Sequence, residues 1–288
     1  MTRVPITYYP PGPQAQLEIN RARVRDKPYA RYFDERLWLD AEALPALQRP
    51  LRNEQVLARS DINRLLEPGY LDGETGYRAF EDGSGYVASL VKFPGVDIEA
   101  LRWWWWWHSV ESERYLLWFP HQHVEVVRYD RDVLENQSLS DEERYVGSSH
   151  HVTEFIGPYL NKIQIDFRAP SEFGLDGAKI AALGIVHGCG FVSMSGGRVR
   201  VATMIHLARP TEDGFEMRSR YWMGSEVKLR LLGREMRIEP LAKVLGVKKR
   251  LIGARMAYEQ LLHDQTEFTH LSSFLGPVYA EFGPQKSG

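Results

Sequence analysis

Residues 251–274 read LIGARMAYEQLLHDQTEFTHLSSF. Apolar side chains recur at Ile252, Met256, Tyr258, Leu261 and Leu262 in the manner of a helix, and the pattern takes this form after Pro240. Upstream the chain is rich in candidate strands. A long C-terminal helix that follows a meander is expected to be wrapped by that sheet, with a deep apolar cavity left between them. His263 and Glu267 stand four residues apart on this helix, so they stack on one face. There an imidazole and a carboxylate can share a metal, or simply form a solvated pair.

Working back from the helix, candidate strands fall at 76–80, 86–93, 123–129, 162–167, 181–187, 198–206, 215–221 and 226–231. The turn sequence EDGSG at 81–85 joins the first two as a hairpin. Short connections of this kind imply an antiparallel, curved sheet and an α+β fold. Asp97 is expected to cap a short helix that carries Trp103 to Trp107 and ends near His108, and Asp40 another at 41–47. A further short helix near Ser60-Asp61 should end at Pro68-Gly69. The Pro10-Pro11-Gly12-Pro13 cluster reads as an extended arm rather than regular structure. The organisation predicted is an N-terminal arm and small helical region over 1–74, followed by a main domain over 75–288.

Bulk properties exclude several classes. The 288 residues carry a formal net charge of -2 with acids and bases interspersed, so there is no basic stripe to follow a phosphate backbone and nucleic acid is not expected as a partner. Cys189 is the single cysteine, which rules out a disulfide framework and any all-thiolate metal site within one chain. Residues 1–13 lack the basic and apolar regions of a secretory signal, and no apolar run approaches the roughly 20 residues that span a bilayer. A soluble, cytoplasmic protein without a membrane partner is the expectation.

The chemistry-bearing residues cluster in a few stretches. Adjacent tryptophans at 103–107 point in successive directions around a helix, so some must enter the core and others face a ligand, partner or subunit. His121, His123 and Glu125 alternate and would share a face if extended, although Pro120 puts His121 at a turn. His123 reads either as a ligand or as a hydrogen-bonded structural histidine. Glu154 lies between His150-His151 and Phe155-Ile156-Gly157; buried, it needs a metal or a hydrogen-bond network, and exposed it needs neither. Two imidazole nitrogens and two carboxylate oxygens suit zinc, and also manganese or iron. His206 and Tyr221 close neighbouring candidate strands, where a hairpin can bring them into one cavity to hold and protonate a phenolic substrate, or leave each satisfied by backbone groups.

The ordered set formed by LLEPGY at 65–70 with ETGY at 74–77, the block 103–108, Arg114-Tyr115 with WFPHQH at 118–123, EFIG at 154–157, and His263 to Glu267 resembles the diacetylphloroglucinol and phloretin hydrolases. These are zinc-dependent enzymes that cleave the carbon-carbon bond between an aromatic ring and an acyl group. The resemblance implies His123, Glu154, His263 and Glu267 as zinc ligands, Tyr115 as a substrate contact, and His206 and Tyr221 as the cavity pair. One position departs: an Asn that contacts ligand in the family is replaced here by Val126, which bears on acyl and ring-substituent specificity. The implied fold is a helix-grip, pollen-allergen-like domain with an N-terminal region used in dimerisation, hence a homodimer. The implied reaction is hydrolysis of an acylphloroglucinol or dihydrochalcone-type aromatic ketone to a carboxylic acid and a phenol, with Glu154 as a candidate proton acceptor. Two alternatives stay open: a non-catalytic helix-grip carrier of an aromatic or apolar ligand, and a metal-dependent cyclase or decarboxylase.

Overall fold

The computed structural model describes residues 2–231, 234–238, 248 and 253–284. Pro240, after which the helical pattern was expected to begin, and Leu251 and Ile252 at the start of the quoted segment lie outside the described residues.

A short strand, β1 (Arg3–Pro5), leads to a helix, α1 (Pro11–Val24). The proline cluster expected to form an extended arm instead opens this helix. First-turn N–H groups have no intrahelical partner, so prolines there forfeit no hydrogen bond, and their fixed φ suits the helix. β1 pairs antiparallel with β2 (Trp38–Asp40). Asp40 then accepts from Glu42 N at 3.0 Å, starting a 3-10 turn (Ala41–Ala43) that runs into α2 (Leu44–Gln48). A second 3-10 segment (Arg59–Leu66) buries Ile62, Leu65 and Leu66 in a cluster with Tyr86, Ile205 and Trp222.

The main sheet begins with the expected hairpin of β3 (Gly76–Ala79) and β4 (Gly85–Pro94). Asp97 caps α3 (Ile98–Trp107), and α4 (Ser112–Trp118) delivers the chain to β5 (His123–Val127). After α5 (Arg131–Glu135) come β6 (Ser149–Ile156), β7 (Tyr159–Phe167), α6 (Gly177–Ala182), β8 (Val186–His187), β9 (Gly190–Met194), β10 (Val199–Thr211), β11 (Gly214–Leu231) and β12 (Arg234–Arg237). The strand order is β3-β4-β11-β10-β9-β7-β6-β5, with β12 on β11 and β8 on β10, and the pairs are antiparallel.

Candidate strands are redrawn at two places and one strand is added. Of the candidate strand 181–187, residues 181 and 182 end α6, which Asp176 caps by accepting from Lys179 N at 3.0 Å, residues 183 and 184 turn, and only β8 is extended. The candidate strands 215–221 and 226–231 are one strand, β11. Between the pairs Met223↔Ala202 and Lys228↔Arg200, residues 224–227 oppose only Val201, and Gly224 adopts φ 66, so the strand bends there without ending. β6 was not anticipated as a strand.

The helix α7 (Gly253–Phe282) crosses the concave face of the sheet, packing on β3, β4 and α3, and completes the expected α+β helix-grip arrangement. Trp103, Trp104, Trp105 and Trp107 are buried. Trp103 stacks on Trp107 at 4.6 Å and meets Tyr279 of α7, while Trp106 is partly buried and donates its indole N–H to Asp141 at 2.8 Å. No described helix is long and apolar enough to cross a membrane.

Candidate active site

A cavity of about 680 Å³ lies between α7 and the inner face of the sheet, within the size range of small-molecule sites. Half-exposed Tyr159 and the exposed Arg255 mark its mouth. From there, Ile156, Glu154, Val152 and His150 line it in order along β6, because alternate residues of a strand face one side. Met256, Gln260, His263 and Glu267 do the same along α7. Trp105, Phe167 and His206 border its deep end.

His123, His263 and Glu267 each bring a ligand atom to within 4.8 Å of the others. His123 Nε2 is 3.4 Å from Glu267 Oε2, and His263 Nε2 is 3.7 Å from the same oxygen. Both rings are oriented from behind: His123 Nδ1 donates to Tyr115 O at 3.0 Å and His263 Nδ1 to Gln122 Oε1 at 2.7 Å. Each neutral ring therefore turns the lone pair of Nε2 toward the cluster. Glu154, the register partner of His123 across β5 and β6, has its Oε2 3.8 Å from His123 Nε2 and accepts a hydrogen bond from the Tyr115 hydroxyl. Tyr115 also stacks on His123 at 3.7 Å, clamping the ring.

Electrostatics favour a cation here. Burial pushes the Glu154 carboxyl up to about 7, and burial together with the charges of Asp264 and Glu154 pushes Glu267 well above the carboxylate range. Burial, reinforced by His263, drives His123 well below its usual value, and burial alone takes His263 to about 3. Neutral imidazoles thus face carboxyl groups that cannot ionise cheaply without a positive charge. His123 Nε2 is buried with no hydrogen-bond partner among the described residues. A divalent cation fits this donor set.

A second polar group faces the cavity. Tyr221 donates to Asp264 Oδ2 at 2.7 Å and lies 3.4 Å from His206 Nε2, whose Nδ1 pairs with Ser219 Oγ at 2.8 Å. Burial lowers His206 to about 3 and raises Asp264 to about 6. The β10–β11 hairpin does bring His206 and Tyr221 together, as expected. Asp264 was missed, being masked by the ligand spacing of its neighbours. Its signal is the polar run HDQTE at 263–267 within an apolar helix, every member of which is buried.

The trio His121, His123 and Glu125 does not form. His121 stacks on Tyr9 and pairs with Glu35 O, while a register shift after His123 leaves Glu125 exposed. Val126 is buried and packs in the core without lining the cavity. Behind the cluster, Asn20 of α1 donates to both Pro120 O at 2.9 Å and His123 O at 2.7 Å.

Comparison with known proteins places the chain in a family. Residues 57–280 match the family described as the DAPG hydrolase PhiG domain. The chain is 36% identical over 292 residues to a 2,4-diacetylphloroglucinol hydrolase of Pseudomonas protegens, covering 97% of this chain and 92% of that protein. A 2,4-diacetylphloroglucinol hydrolase of a Pseudomonas species is also 36% identical, with 97% and 96% covered. Phloretin hydrolase of Eubacterium ramulus is 27% identical, with 88% and 89% covered. With residues 57–280 matched by the family and 36% identity to a member over 97% of its length, the chain belongs to the DAPG hydrolase family.

Proposed function

We propose that this protein is a zinc-dependent hydrolase that cleaves the carbon-carbon bond between a polyhydroxylated aromatic ring and its acyl group, in acylphloroglucinol or dihydrochalcone-type ketones. It releases a carboxylic acid and a phenol. The observation that carries the reading is the convergence of His123, His263 and Glu267, the last two lining a cavity that also presents His206 and Tyr221.

Four groups would hold the zinc: His123, His263, Glu267 and, from β6, Glu154. A bound zinc ion supplies a positive charge that polarises the acyl oxygen and lowers the pKa of a nearby water from near 16 toward roughly 7. His206 and Tyr221 hold a ring hydroxyl and move its proton to the ring carbon that carries the acyl group. The ring then takes its keto form, and the bond to be broken lies between two carbonyl groups. Glu154, whose proton affinity burial has raised, accepts a proton from the attacking water, and the Tyr115 hydroxyl steadies that carboxylate. When the bond breaks, its electron pair returns to the ring oxygen as an enolate, which His206 and Tyr221 stabilise until it takes up the proton that Glu154 accepted and becomes the phenol. Trp105, Trp118 and Phe268 pack around these groups and limit the entry of bulk water.

A carrier of aromatic ligands needs the cavity but not the convergence of four ligating groups. Incubating metal-replete protein with a panel of acylphloroglucinols and dihydrochalcones, followed by product identification, tests the reading. Equimolar acid and deacylated phenol are expected. A protein that binds these ketones and returns them intact is a carrier.

A further inference from the structure

The deep end of the cavity carries a second pair of imidazoles that the proposed chemistry does not use. His108, at the C-terminal end of α3, and His150, on the inward face of β6, both line the cavity, and their ring centroids are 5.9 Å apart. Both are almost wholly buried, at 3% and 1% exposure. His108 Nδ1 donates to Trp104 O at 2.7 Å, which leaves Nε2 of the neutral ring as an acceptor. His150 Nε2 has no hydrogen-bond partner among the described residues. A buried polar atom left unpaired is costly, so a group that completes it is selected for.

The pair does not touch the candidate metal centre. His150 lies four residues before Glu154 on the same face of one strand, about 13 Å along it at 3.3 Å per residue, and Tyr115 stands between His108 and His123, 6.0 Å from the one ring and 3.7 Å from the other. Between His108 and His206 lies an aromatic floor: the Trp105 ring stacks on His206 at 5.5 Å and meets His108 edge-on at 6.4 Å. Phe167 extends it, 6.0 Å from Trp105 and 4.7 Å from His150. A flat ring laid on this floor has imidazoles beyond two of its edges.

We propose that His108 and His150 form a second hydroxyl-binding point, which takes a ring hydroxyl in a 1,3 relation to the one held by His206 and Tyr221. Burial keeps both imidazoles neutral, His108 falling to about 4 and His150 lying well below its usual value. A neutral pair that offers one acceptor and one donor matches a hydroxyl, which both gives and takes a hydrogen bond; a carboxylate has no hydrogen to give His108. The ring therefore enters first and the acyl chain trails toward the mouth. This assignment rests on the proposed function for the identity of the ring, and the test separates the two.

NMR titration of the zinc-loaded protein with 1,3-dihydroxybenzene and with phenol measures the site without any turnover. The wild type should bind the 1,3-diol about 10-fold more tightly. His150→Leu should bring the two affinities together while zinc stays near one per chain, and His150→Gln, which keeps a hydrogen-bonding group, should restore part of the difference. KM for the acylated 1,3-diol should rise in His150→Leu by a similar factor, with kcat changed less. Equal wild-type affinities, or a preference for the diol that survives His150→Leu, would overturn the assignment. Loss of zinc in step with the loss of preference would overturn it too, since the histidine would then be supporting the metal centre. If the preference behaves as expected but no ketone is cleaved, the hydroxyl-binding point stands and the hydrolase reading falls; if ketones are cleaved and no preference exists, the reverse holds.

Discussion

The Tyr221 hydroxyl donates to Asp264 and lies 3.4 Å from His206 Nε2, so Tyr221 and His206 meet a substrate as one polar pair. If the proposed function holds, replacing Tyr221 with Phe or His206 with Ala is expected to cut turnover by roughly 10²-fold or more while zinc content stays near one per chain, since the proposal has these groups act on substrate and not on metal. Metal analysis beside steady-state kinetics checks this, and metal lost in proportion to activity would move the residue into the coordination sphere. His263→Ala and Glu267→Ala should do the opposite, losing most of the zinc with the sheet still folded by circular dichroism. Helical spacing made His263 and Glu267 legible in the sequence, and ordered motifs did the same for His123 and Glu154. Asp264 and Gln122 were not legible, since each acts by orienting a neighbour and leaves no spacing of its own.

Among the elements, the hairpin of β3 and β4, the capped α3 and the helix α7 follow from turn residues, a cap and a period, all of them local signals. β6 was hidden because its inward face holds His150 and Glu154, so the polar alternation that marks a half-buried strand is inverted at the positions that serve the cavity. β11 was cut in two by Gly224, whose positive φ bends a strand that long-range pairing with β10 keeps continuous. Close packing also makes a testable point next to β8. A Cβ at Gly188 would lie 2.6 Å from Trp105 Cζ2, and Trp105 forms part of the cavity floor. Gly188→Ala should therefore destabilise the protein by about 1–3 kcal/mol and displace the indole. Thermal unfolding and KM are both expected to respond, the melting temperature falling and KM rising.

For the whole molecule, buried titratable groups give opposing dependences on pH. His108, His123, His150, His206, His263 and His270 are all held below their usual values by burial, so the unfolded chain takes up protons at these positions before the folded one does. Their contribution is present above about 6.5 and is lost as pH falls, through about 4 for His108 and about 3 for His206, His263 and His270. Glu154, Glu267 and Asp264 are held above theirs, so their contribution is present below about 4.5 and is lost as pH rises through the folded values, about 7 for Glu154 and about 6 for Asp264. A chelator-stripped sample should accordingly gain least from its carboxyl groups at pH 8, where zinc, which needs them deprotonated, stabilises most. The gap in melting temperature between zinc-loaded and stripped protein is expected to widen from pH 5.5 to pH 8; a constant gap would mean that these carboxyl groups do not hold the metal. The span matched to the family begins at residue 57, yet Asn20 grips the two carbonyls that frame the loop leading to His123. A protein trimmed to that span keeps all four side chains proposed to hold zinc, but one of them hangs from a backbone no longer pinned in place. Its zinc affinity, measured by competition with a chromophoric chelator, is expected to fall, which would make the strength of the centre a property lent by a helix that meets neither metal nor substrate.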